Sequence, residues 1–113
     1  DIKWIRHSAP NAPEGCAKLG KYEDPLMPDA VESYYFKDAC FVSYIENDGN
    51  EYMLIANKAH TKPADIYITF VKDVYKVETD GSFTMVKAEK DGSYYVEKEF
   101  LIDNGDVLIF KIK

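Results

Sequence analysis

The residue types that carry chemistry are sparse in these 113 residues: two histidines, His7 and His60, and two cysteines, Cys16 and Cys40. A nucleophilic centre needs Ser, Thr or Cys held against a base, usually imidazole. Ser8 adjoins His7 and Thr61 adjoins His60, but sequence neighbours seldom share the geometry of a working dyad. Both histidines read as solvated residues of irregular segments, and no catalytic residue is assigned. The cysteine spacing fits no zinc or redox motif. One disulfide or none is open, and two thiols that are simply buried is the simpler expectation.

Carboxylates are plentiful, with 20 Asp and Glu. A glycosidase pair needs two acids facing each other about 5–10 Å apart across a cleft. However, Asp48, Asp80, Asp91 and Asp103 sit at or before Gly or Asn turns, where a short carboxylate bonds its local backbone. Two groups have the oxygen chemistry of a calcium site: Glu46, Asp48, Asn50 and Glu51, then Asp103, Asn104 and Asp106. Neither matches the alternating twelve-residue loop that chelates calcium. All six glycines are isolated, so no phosphate cradle is present. No metal and no cofactor is expected.

The aromatic residues are the remaining candidates. Tyr34-Tyr35-Phe36 and Tyr94-Tyr95 form two runs. In a strand, neighbouring side chains point to opposite faces, so one of each pair turns away from the core. Outward rings at Tyr35 and Tyr95 are candidates for stacking on the C–H face of a sugar. The competing reading is ordinary cross-strand pairing within an antiparallel sheet.

The elements that hold these residues change character near residue 34. Residues 1–33 carry four of the five prolines, Pro10, Pro13, Pro25 and Pro28, and no sustained period. This part reads as a lead-in or linker segment packing on the sandwich, with a short helix over Glu14 to Leu19 stopped by Gly20. Residues 34–113 read as short apolar runs between turn signals. Ala39 to Glu46 and Glu51 to Asn57 flank Asn47-Asp48-Gly49-Asn50, a hairpin signature. Further runs are 65–71, 73–79, 83–88, 94–101 and 107–113. Alternation places Ile66, Ile68 and Phe70 on one face, and Leu108, Phe110 and Ile112 likewise. In the first hairpin Phe41 and Ile45 are assigned inward, against competition from Val42 and Tyr44. The fold expected is an all-β antiparallel β-sandwich of about seven strands with an extended N-terminal arm.

The bulk composition excludes some roles. The net charge is −6 and no basic footprint exists, so nucleic acid and anionic membrane surfaces are not expected partners. No apolar run reaches the roughly 18 residues of a membrane-spanning helix. The chain opens on Asp1 rather than Met. An upstream part is therefore expected to have been removed, and the compartment stays open.

The run from Phe41 through Asp48-Gly49 to Tyr52-Met53-Leu54-Ile55-Ala56-Asn57 resembles a pattern in C-terminal β-domains of bacterial TIM-barrel glycoside hydrolases. There a strand, an acidic Gly turn and a strand ending in Asn precede a Pro-containing loop, here Lys58 to Ala64. Phe100 to Ile112, through Asp103-Asn104-Gly105-Asp106, is similar to the closing hairpin of such domains, with Asn104 where Pro is common. Cys16 to Tyr22 and Leu26-Met27 resemble the passage leaving the barrel. The resemblance implies a non-catalytic accessory domain whose partner is an upstream catalytic barrel, with Trp4, Ile5, Leu19 and Leu26 as interface residues. The alternatives are a carbohydrate-binding module using exposed Tyr residues and a protein-interaction or adhesion sandwich.

Overall fold

In a computed structural model, residues 2–8, 16–20, 22, 24, 27–38, 40–58 and 61–112 are described, with 2–8 and 16–19 as backbone alone. The described residues are all-β, and their twelve strands fall into three antiparallel sheets. β1 (Ile2–Ser8), β4 (Cys40–Asn47), β5 (Asn50–Asn57), β12 (Val107–Lys111), β7 (Val74–Val77) and β8 (Phe83–Val86) lie in that order in a six-stranded sheet. β11 (Glu97–Ile102), β6 (Ala64–Phe70), β3 (Val31–Phe36) and β2 (Cys16–Gly20) form a four-stranded one. β9 (Lys90–Asp91) and β10 (Tyr94–Tyr95) make a small separate hairpin.

The two large sheets share one core. The four-stranded sheet supplies Tyr34, Phe36, Ile66, Ile68 and Phe70, and the six-stranded sheet supplies Val42, Met53, Ile55, Leu108 and Phe110. Phe110 of the six-stranded sheet lies edge-on to Phe70 at 5.3 Å and to Phe100 at 5.1 Å, both in the four-stranded sheet, tying the two layers through edge-to-face aromatic contacts. Truncating a buried ring of this kind costs about 3–5 kcal/mol, because the lost burial leaves a cavity.

Turn chemistry fixes the register of the first hairpin. Asp48 and Gly49 both have positive φ, 52° and 79°. Asn47 faces Asn50 across a two-residue loop. That is a type I′ turn, whose twist matches the strands it joins. In the β7–β8 hairpin, Gly81 N donates to Glu78 O and Glu78 N to Ser82 O. With Gly81 at φ 87°, this is a type I turn closed by a glycine bulge.

The all-β reading of the sequence holds, and several details differ. Cys16–Gly20 is strand β2 rather than part of a helix, because β3 offers it a pairing partner and tertiary pairing overrides weak local propensity. The described residues hold twelve strands rather than about seven. Two of them, β1 and β2, fall within residues 1–33 and pair with β4 and β3. The run 94–101 breaks at Val96, whose N–H donates to Glu89 O instead of joining either strand. The 100–112 segment is not a hairpin, since β11 pairs with β6 while β12 pairs with β5 and β7. Its turn carries the chain from one sheet to the other, with Asp106 N bonded to Asp103 O. In β4, Val42 and Tyr44 face the core, while Phe41 and Ile45 are only partly buried and face outward.

Candidate functional site

The sandwich presents two outer faces of opposite character. On the four-stranded sheet, β3 turns Tyr35 outward with Lys37 exposed just past its end, β6 turns Tyr67, and β11 turns Glu97 and Glu99. Tyr35 and Tyr67 are direct cross-strand partners and stack with centroids 4.6 Å apart and planes within 7°. The Tyr35 hydroxyl donates to Glu97 Oε1 at 3.4 Å, and Tyr67 donates to Glu99 Oε2 at 2.9 Å. Lys37 Nζ sits 5.0 Å from the Tyr67 ring centre. Its ammonium is held above its ordinary pKa, first by the hydrogen bond with Tyr67. The Tyr35 hydroxyl is also raised, by partial desolvation first and then by the Glu97 charge. This row therefore spends much of its aromatic and ionic capacity on itself.

Tyr95 is placed differently. It lies in β10 of the small hairpin, with Lys90 Nζ 5.0 Å from its ring centre. Its neighbour Tyr94 is 79% exposed. Tyr35 and Tyr95 thus belong to different sheets and are held by different contacts.

The six-stranded sheet carries an apolar outer face, which is unusual. An antiparallel sheet with one solvated side normally alternates apolar in and polar out. Here Ile45, Tyr52, Lys111, Tyr75 and Met85 follow one another across five strands in register. Beside them run Ser43, Leu54 and Ile109, then Phe41, Ala56 and Val107. Tyr75, Phe83, Met85 and Val107 are 40%, 54%, 47% and 42% exposed. The one cation in the first row, Lys111, lays its Nζ 5.8 Å from the Phe83 ring centre, and Phe83 meets Tyr75 edge-on at 6.2 Å.

A polar node lies between the sheets. Asp24 is buried, and its Oδ2 accepts the Tyr34 hydroxyl at 2.9 Å and the Tyr44 hydroxyl at 2.8 Å. Tyr34 belongs to the four-stranded sheet and Tyr44 to the six-stranded one, so one carboxyl oxygen joins both layers. Burial above all, then the neighbouring Tyr34 and the bond to Asp24, push the Tyr44 hydroxyl far above the usual phenol range. It therefore stays a donor. A second tie is Asn57, whose Nδ2 donates to Lys62 O and Ile102 O at 3.0 and 3.1 Å. No feature of the sequence reading pointed to Asp24.

For metals and reactive groups the structure is plain. Among the described residues, no group of three or more His, Cys, Asp or Glu is arranged to hold a metal ion. Asp106 bonds the N–H of Val107, and Asp80 bonds the N–H and hydroxyl of Ser82. His60 and Leu26 lie outside the described residues, as do the side chains of Trp4, Ile5, His7, Cys16 and Leu19. Cys40 is buried at the start of β4. A cleft of 170 Å³ lined by Lys76, Glu78, Leu101, Asp103 and Asp106 is below the roughly 300–1,000 Å³ of ordinary small-molecule pockets.

Compared with known protein families, curated proteins and solved structures, the chain matches none of them.

Proposed function

We propose that this chain is a non-catalytic accessory β-sandwich that works by packing, with the outer face of the six-stranded sheet seated on a neighbouring domain of its own protein. The observation that supports this reading is the run of apolar residues across that face, from Phe41 and Ile45 to Phe83 and Met85. Exposed apolar patches of more than a few hundred Å² are uncommon on monomers and mark contact surfaces. The resemblance to C-terminal domains of glycoside hydrolases supplies the kind of neighbour, a catalytic barrel. In that arrangement the sandwich stabilises the barrel and supplies no catalytic group.

The test begins with the coding sequence on either side of the 113 residues, followed by calorimetry of the native gene product. A packing module melts together with its neighbour. Leu54→Lys or Ile109→Lys, in the middle of the face, then separates the two transitions and lowers that of the neighbour. A product with no neighbouring domain, or face variants that leave the coupled transition intact, refutes the reading.

A carbohydrate-binding role draws on one specific observation, the exposed Tyr94 next to Tyr95 on the small hairpin. Titration of soluble glycans, followed by Tyr fluorescence, decides it. Saturation that disappears in Tyr95→Ala and persists in Tyr35→Ala favours sugar binding at the hairpin. A flat titration removes this second role.

A further inference from the structure

Among the described residues, two edges of the large sheets are left without a further strand, and they differ in kind. β11 ends the four-stranded sheet and carries Glu97, Lys98 and Glu99, so that edge is guarded by charge. β8 ends the six-stranded sheet with Phe83-Thr84-Met85-Val86, which has no charge, and its first three side chains are exposed. An uncharged edge strand offers a row of backbone donors and acceptors to another strand.

The hairpin fixes which groups these are. Glu78 N donates to Ser82 O at 2.8 Å, so 78 and 82 form a hydrogen-bonded pair. In an antiparallel ladder such pairs alternate with non-bonded ones. Lys76 with Thr84 is then bonded, while Val77 with Phe83 and Tyr75 with Met85 are not. Phe83 and Met85 therefore turn their N–H and C=O groups away from β7, toward the open edge.

We infer that this chain self-associates through β8, two copies pairing these strands antiparallel about a twofold axis at Thr84. In that register Phe83 of each copy faces Met85 of the other, and each copy contributes two outward N–H donors and two outward C=O acceptors. The paired side chains meet on the apolar outer face as an aromatic–thioether contact. One step further along, Lys87 comes opposite Gly81 of the second copy and beside its Asp80, an opposite-charge match repeated at both ends. Glu78, which accepts the Thr84 hydroxyl near the axis at 2.7 Å, is already paired with Lys76 at 3.5 Å. No uncompensated like charge therefore meets its copy there. This match of edge, side chains and charge selects a second copy over an arbitrary extended peptide. The association also makes the apolar outer face continuous across the axis.

Sedimentation equilibrium over a concentration series tests this, with Met85→Pro as the main variant. The Met85 N–H faces outward, so proline removes no bond to β7, and the circular dichroism and melting temperature should be retained. The expected result is a monomer–dimer equilibrium that Met85→Pro weakens about tenfold or more, since two intermolecular bonds are lost per dimer. Lys87→Glu should weaken it at low salt, and added salt should narrow the gap to wild type. If Met85→Pro fails to fold, Lys87→Glu decides. A chain that is monomeric at every concentration overturns the inference. So does a dimer unchanged by these variants but lost in Leu54→Lys, which would place the contact on the sheet face instead of its edge.

Discussion

Asp24 is the residue on which the two layers depend most directly. Its Oδ2 accepts hydroxyls from both sheets, and both phenols are nearly fully buried. Asp24→Ala leaves two buried hydroxyls without this acceptor, at about 1–3 kcal/mol for each such group. Tyr34→Phe or Tyr44→Phe removes one bond and its donor together, which costs only about 1 kcal/mol. Urea unfolding should therefore rank Asp24→Ala as the most damaging of the three by a clear margin. The two Tyr→Phe changes should be non-additive, because they share one acceptor. An Asp24→Ala variant as stable as either Phe variant would show that the node contributes nothing across the layers. None of this could be read from the sequence. A Tyr-Glu-Asp-Pro stretch resembles solvated chain, and nothing local marks an Asp whose partners lie ten and twenty residues further on.

Among the elements, the β4–β5 hairpin is the clearest case of local chemistry deciding structure. Its Asp48-Gly49 turn needs positive φ at both central positions, and beyond the adjoining residues nothing lies within 4 Å of a Cβ added at Gly49. Gly49→Ala should therefore destabilise by about 1 kcal/mol through backbone strain alone, without a steric clash. D-Ala at the same site should be neutral or stabilising. Thermal melts of the two variants, the second made by semisynthesis, would show that difference in sign. An equal loss for both would point to packing instead. This hairpin was legible because its signal is contained in four consecutive residues. The pairings of β1 with β4 and of β2 with β3 were not, since each depends on a partner fixed only in three dimensions. The orientation of β4 was illegible for a related reason. Both of its faces are apolar, so the two-residue period carries no direction, and the Tyr44 bond to Asp24 settles it. That ambiguity was itself the trace of the apolar outer face.

For the whole molecule, pH acts at both ends of the scale. At the acid end, Asp38 is held below the usual carboxylate range, first by its bond to Lys62 at 3.0 Å, and Glu89 is lowered by Lys98. Depressed carboxylates lend stability that is complete above their unfolded pKa of about 4 and is lost as pH falls through the lower folded value. Asp38→Asn should flatten part of that acid limb. At the alkaline end the sign reverses. The Tyr44 hydroxyl is raised by burial, so the folded chain keeps its proton when the unfolded chain has released it. Its contribution is complete below an unfolded pKa of about 10 and declines as pH rises further, by up to roughly 1.4 kcal/mol per pH unit for this one group. Phe at position 44 has no proton to hold. Tyr44→Phe should therefore be less stable than wild type at pH 7, and the gap should narrow steadily above about pH 10. Urea midpoints measured at several pH values, alongside the tyrosinate absorbance of the folded chain, test this together. A gap that stays constant to alkaline pH would mean that Tyr44 ionises within the folded state. The tight two-layer seal around Asp24 would then have to be given up.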